Sequence, residues 1–148
     1  MDVMGKVGGQ LSKEVWPSFN RDICKKGKKP GLDDWPWAEK NVLIPLWKKL
    51  QKDHGVQLPP YSGELQPVVK KIVKNCVKPK YNFCNEDTLK EMKGCALQEA
   101  MGYVVSHLDI SKKYGNEANC KKAAKALKSP SLWKWAKTVV VAFAKKVT

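Results

Sequence analysis

Residues 65–76 read Leu65-Gln66-Pro67-Val68-Val69-Lys70-Lys71-Ile72-Val73-Lys74-Asn75-Cys76. Leu65, Val68, Val69, Ile72 and Cys76 stand at offsets 0, 3, 4, 7 and 11, and the lysines at 70, 71 and 74 fall on the other side. That recurrence lines one face of an α-helix and has nothing of a strand's alternation. The stretch therefore predicts an amphipathic helix with an apolar stripe and a lysine face. Ser62 is the expected cap, and Lys78-Pro79-Lys80 the expected stop.

Outward from this segment the helical period dominates. Upstream, a short helix is expected over Leu11–Trp16, broken at Pro17, with a further turn through Phe19–Cys24. Lys25–Gly31 reads as a basic loop. Asp34 suits an N-cap, with Pro36 in the first turn of a helix carrying Leu43, Leu46, Trp47 and Leu50. Pro45 should kink that helix or split it. Gly55 suits a left-handed C′ position, and Leu58-Pro59-Pro60-Tyr61 an extended linker.

Downstream, Asn85 or Asp87 opens the longest helix, expected to run to about Leu108. Its apolar residues, from Leu89 to Leu108, cover more than one face, which places it in the middle of a bundle. Asn116 caps a helix with Cys120, Ala123, Ala124 and Leu127 inward and four lysines outward. Ser129-Pro130 opens the last helix, striped by Leu132, Trp135, Ala136, Val139, Phe143 and Val147. The expectation is one all-α domain over residues 1–148, a bundle of six to seven helices around a central apolar helix near 87–108.

The 148 residues carry 28 basic against 14 acidic side chains, a formal charge of +14. Six Trp, four Tyr and three Phe exclude a disordered chain. The longest apolar run, Val139–Ala144, is far below the ~20 residues of a membrane span. The charge is unevenly placed. Residues 65–85 contribute +5 through Lys70, Lys71, Lys74, Lys78 and Lys80, and residues 118–148 contribute +8; neither stretch holds an acid. Two such blocks generate a positive field of several kT, which points to an anionic partner: an anionic polymer such as a sulfated glycan or polyphosphate, an anionic lipid surface or an acidic protein. The expected anion-binding residues are those five lysines with Lys121, Lys122, Lys125, Lys128, Lys134 and Lys137. Arg21 is the single arginine, so bidentate base reading, and with it sequence-specific nucleic-acid binding, is not expected.

Five cysteines, Cys24, Cys76, Cys84, Cys95 and Cys120, include no C-x-x-C pair, and no metal or other cofactor is expected. Scattered cysteines in a small basic chain read as two disulfides and one remaining thiol, with the pairing open, and hence as a secreted monomer. Met1–Gln10 has no apolar signal region, so the expectation is a mature chain with an added Met1.

Enzymatic motifs are absent from the sequence. It has no G-x-S-x-G and no phosphate-binding glycine loop. His54 and His107 are the only imidazoles for ribonuclease-type chemistry, and both fall near helix ends. A non-enzymatic binding protein is expected. Trp35, Trp47, Met101 and Tyr103 are candidates for a small apolar pocket. The last helix, with Trp133, Trp135 and flanking lysines, also has the composition of a cationic interfacial helix.

The run Cys76-x7-Cys84-x10-Cys95, with the size and helix count, resembles the small secreted proteins of the insect odorant-binding type. These include basic salivary proteins of blood-feeding insects. The C-x-x-x-C of that family is absent here, and Cys120 has no counterpart. The resemblance implies either a small-ligand cavity or electrostatic capture of anionic polymers and surfaces, in host defence or in interference with haemostasis.

Overall fold

The computed structural model describes residues 3–148, with side chains from residue 6 onward. Helices make up 78% of the protein, and among the described residues there are seven helices and no strand. The first, α1, spans residues 3–24. It is followed by α2 (32–52), α3 (61–76), α4 (Glu86–Ser106), α5 (Leu108–Tyr114), α6 (Glu117–Leu127) and α7 (Pro130–Lys146). The all-α bundle expected from the sequence is the one observed.

Proline neither breaks α1 at Pro17 nor splits α2 at Pro45. A proline ring in an α-helix collides with the carbonyl four residues back and leaves it without a donor. Here the turn ahead of each proline widens by one residue. The N–H of Trp16 donates to the Leu11 carbonyl, that of Ile44 to Glu39, and that of Gln66, before Pro67, to Tyr61. These are π-turns, five residues from acceptor to donor, and they carry the helix past the ring without a break. Helix α1 also begins at Val3, through Gly5, Gly8 and Gly9, ahead of the expected Leu11.

Other expected punctuation holds in part: Asp34, expected as an N-cap, stands inside the first turn of α2, where its carboxylate accepts from the Gly31 N–H at 2.9 Å. Gly55 has φ 65°, a left-handed conformation that costs other residues about 1 kcal/mol. Asn85 and Asn116 accept from the N–H groups of Thr88 and Asn119 at 3.1 and 2.9 Å, the short-range bonds that start α4 and α6. Ser62 does not cap α3, which starts at Tyr61 after Pro60.

The core lies where α1, α2 and α7 meet. Ile23 (0% exposed), Val140 and Val147 form its centre, covered by Val15, Phe19 and Phe143. The Phe143 ring sits 6.2 Å from Phe19 and 5.3 Å from Trp37, joining the three helices. The chain end is fastened here too. Lys28 donates to the Ala144 carbonyl, and Lys146 pairs with Asp34 at 2.9 Å. Burial of each such apolar side chain contributes about 1.5–3 kcal/mol.

Two disulfides resolve the open pairing: Cys24–Cys84 ties the end of α1 to the loop before α4, and Cys76–Cys95 ties α3 to α4. Cys120 is the free cysteine. Helices α3 and α4 run antiparallel, with Asn75 donating to Glu99 at 3.0 Å beside the second disulfide.

Helix α4 occupies nearly the expected residues but not the centre. None of its described residues is buried, and Met101 and Val105 are 66% and 71% exposed. An apolar surface on every side does not bury a helix unless neighbours flank it on every side, and α4 has α3 along one flank and α1 across its first turns. It also ends at Ser106, because His107 leaves the helical region at φ −132°, ψ 56°.

Two phenols act as braces. Tyr61 donates to Glu39 at 2.7 Å between α3 and α2; burial, then Glu39, pushes the phenol far above its ordinary value. Tyr81 donates to Glu91 at 2.8 Å, and that bond, with burial, raises its phenol too.

Candidate anion-binding surface

All eleven lysines singled out from the sequence are exposed. Among the described residues two of them meet an acid: Lys121 pairs with Glu117 at 3.2 Å and Lys137 with Glu14 at 3.5 Å. Both pairs are solvent-accessible and contribute little, about 0–1 kcal/mol each. The surplus of positive charge therefore stays at the surface.

The two blocks take up different places. Lys70, Lys71 and Lys74 lie along the outer side of α3, and Lys78 and Lys80 in the turn that follows, where the Lys78 ammonium stands 5.7 Å from the Tyr81 ring centre. Lys71 lines a cleft of about 320 Å³ between α3 and α4, shared with Tyr103 and His107.

The second block is drawn into concave ground. Lys122, Lys125 and Lys128 line a cleft of about 580 Å³ with Asp53, His54 and Ser129. Lys128, Lys134 and Lys137 line a second, of about 290 Å³, with Lys13, Glu14 and Trp133. Lys128 belongs to both. Neither cleft contains a lysine of the first block.

Local chemistry builds this corner. Asn116 starts α6, whose Ala126 is fully buried, so that Lys122 and Lys125 remain outside. At the end of α6, Ser129 N–H donates to the Ala126 carbonyl, and Pro130 then begins α7, where its missing N–H costs nothing. The Trp133 indole donates to the Leu127 carbonyl at 2.6 Å and locks the angle between the helices. The first turn of α7 has no acidic residue, so the positive end of its dipole is not offset there.

The chain matches no family model, no curated protein and no solved structure.

The aromatic pocket candidates are not gathered into one cavity. Trp47 donates to the Pro59 carbonyl at 2.8 Å and meets Tyr61 edge-on at 6.2 Å, so it staples the linker to α2. Trp35 is half-buried at the start of α2. Met101 is exposed, and Tyr103 stacks on His107 at 4.2 Å. A larger apolar groove of about 600 Å³ lies elsewhere, between α1 and the start of α4, lined by Leu11, Val15, Trp16, Phe19, Phe83 and Met92.

Lys13 was not singled out from the sequence, and His54 was read there only as an imidazole near a helix end. Each reaches the surface of the second block from a remote helix, and no local pattern announces that. In α7 the interfacial signal has another use: Leu132, Trp133, Val140 and Val147 are buried, and Trp135 lies under the Lys49 ammonium at 5.4 Å. Among the described residues no helix is long and apolar enough to cross a membrane.

Proposed function

We propose that this is a non-enzymatic binding protein that captures polyanions electrostatically through its lysine surfaces. The observation that carries it is the convergence of Lys122, Lys125, Lys128, Lys134 and Lys137 on two adjoining clefts, joined there by Lys13 and faced by two acids, Asp53 and Glu14. Lysine ammonium groups are hydrated point charges suited to charge density rather than to a particular planar group. The two disulfides support an oxidising, extracellular setting for this task. The test is affinity for heparin and for inorganic polyphosphate as a function of NaCl. Log affinity should fall linearly with log salt, as it does when condensed counterions are released. Affinity that is absent at low salt, or unchanged at high salt, refutes polyanion capture.

The α1–α4 groove supports a second reading, carriage of a small apolar ligand, because its volume and apolar lining suit one. Trp16 lies in its wall. A fatty-acid-like ligand should therefore change tryptophan fluorescence in the parent and not in Trp16→Phe; equal responses in both would remove this reading.

A further inference from the structure

Five lysines of the second block keep a period of three across two helices. They stand at 122, 125, 128, 134 and 137, with Ser131 at the position between. Three residues rise about 4.5 Å along an α-helix. Lys122 and Lys125 serve one cleft alone, Lys134 and Lys137 serve the other alone, and Lys128, at the corner, serves both. The two clefts are thus the two sides of one saddle over the α6–α7 corner.

A compact anion fills one side and leaves the other empty. A linear anion can lie in both and pass Lys128 on the way. Lysines that follow one another at about 4.5 Å of axial rise along each helix suit a chain with closely spaced charges. Bases have no open Phe, Tyr or Trp ring to stack on here. The rings in the clefts are Trp133, which is 8% exposed and has its indole N–H bonded to Leu127, and the half-buried imidazole of His54, a single small ring and not a row of platforms. Stacking platforms for single-stranded nucleic acid need open rings. Resting on the polyanion capture proposed above, we infer that the α6–α7 saddle is a site for an unbranched inorganic polyphosphate-type chain that crosses Lys128, and that the lysines of α3 lie outside it.

Binding of tripolyphosphate and of chains tens of phosphates long is measured across a salt series, with the oxidised protein and with Lys128→Ala and Lys71→Ala. Both sites are exposed, and circular dichroism checks that each variant is folded. The long chain should bind at least tenfold more tightly than tripolyphosphate. Lys128→Ala should narrow that ratio and lower the slope of log affinity on log salt by about one, the loss of one contact. Lys71→Ala should change neither. If the long chain binds but Lys71→Ala acts as strongly as Lys128→Ala, or chain length has no effect, the saddle is refuted while polyanion capture stands. A heparin fragment that binds through Lys128 where polyphosphate does not overturns the ligand class. If no polyanion binds, polyanion capture itself fails, and the saddle with it.

Discussion

Asn119 holds the linker between α2 and α3 against α6, and its removal gives the most direct test of the fold. It is 7% exposed. Its amide oxygen accepts from the Gln57 N–H, and its amide nitrogen donates to the Gln57 and Tyr114 carbonyls, each at 2.6 Å. Asn119→Ala removes all three bonds and leaves both backbone groups of Gln57 without a side-chain partner. At about 1 kcal/mol per bond, the expected cost is about 3 kcal/mol, less whatever water restores. For a chain of this length that lowers Tm by about 6–12 °C. Urea denaturation of the oxidised protein, followed by circular dichroism, measures it, and hydrogen exchange at the Gln57 amide localises it. Asn119→Asp sharpens the test, because a carboxylate keeps the acceptor but faces two carbonyls with no proton to give. The folded state then favours the protonated carboxyl, raising its folded pKa. Part of the lost stability should therefore return as pH falls through that value. An Asn119→Ala protein within about 0.5 kcal/mol of the parent, with Gln57 exchange unchanged, would refute the assignment.

Loop-closure entropy ranks the two disulfides. Their sequence separations of 60 and 19 residues correspond to about 4 and 3 kcal/mol, so a Cys24→Ser/Cys84→Ser protein should melt below a Cys76→Ser/Cys95→Ser protein; the reverse order would refute the entropic ranking. Unfolded without reductant, the protein should expose one reactive thiol per chain, that of Cys120; three or five would break the pairing described above.

Short-range chemistry was legible in the sequence. The stripe from Leu65 to Cys76, the Asn116 cap, the Gly55 turn and the outward side of each lysine block all depend on neighbours within a few residues, and all are found in place. What failed depends on partners far along the chain. Gly5, Gly8, Gly9 and Pro17 each disfavour a helix by about 1–3 kcal/mol, yet α1 runs through them because it packs on α6 and α7. Helix α4 has the composition of a buried helix, but burial is set by how many neighbours arrive, and its own residues do not encode that number. The widened turns add a further obstacle. Each inserts a residue without the usual rotation, so a face assigned before Pro17 or Pro45 is out of phase after it. For the site, the lysines were visible and their confluence was not: Lys13 and His54 arrive from α1 and from the end of α2, and only the packed corner beside Trp133 makes the ground concave.

The crossed order of the disulfides has a topological consequence. Cys24 joins Cys84, and Cys76, which lies between them, joins Cys95 beyond. One backbone cut anywhere from Cys24 to Cys95 therefore leaves the two fragments covalently linked. A cut beyond Cys95 does not, since Cys120 is unbridged. The protein is thus a covalently closed frame with a tail of helices, α5 to α7, that no disulfide ties to it. That tail carries the lysine saddle, so proteolysis could release the saddle without breaking a single sulfur–sulfur bond.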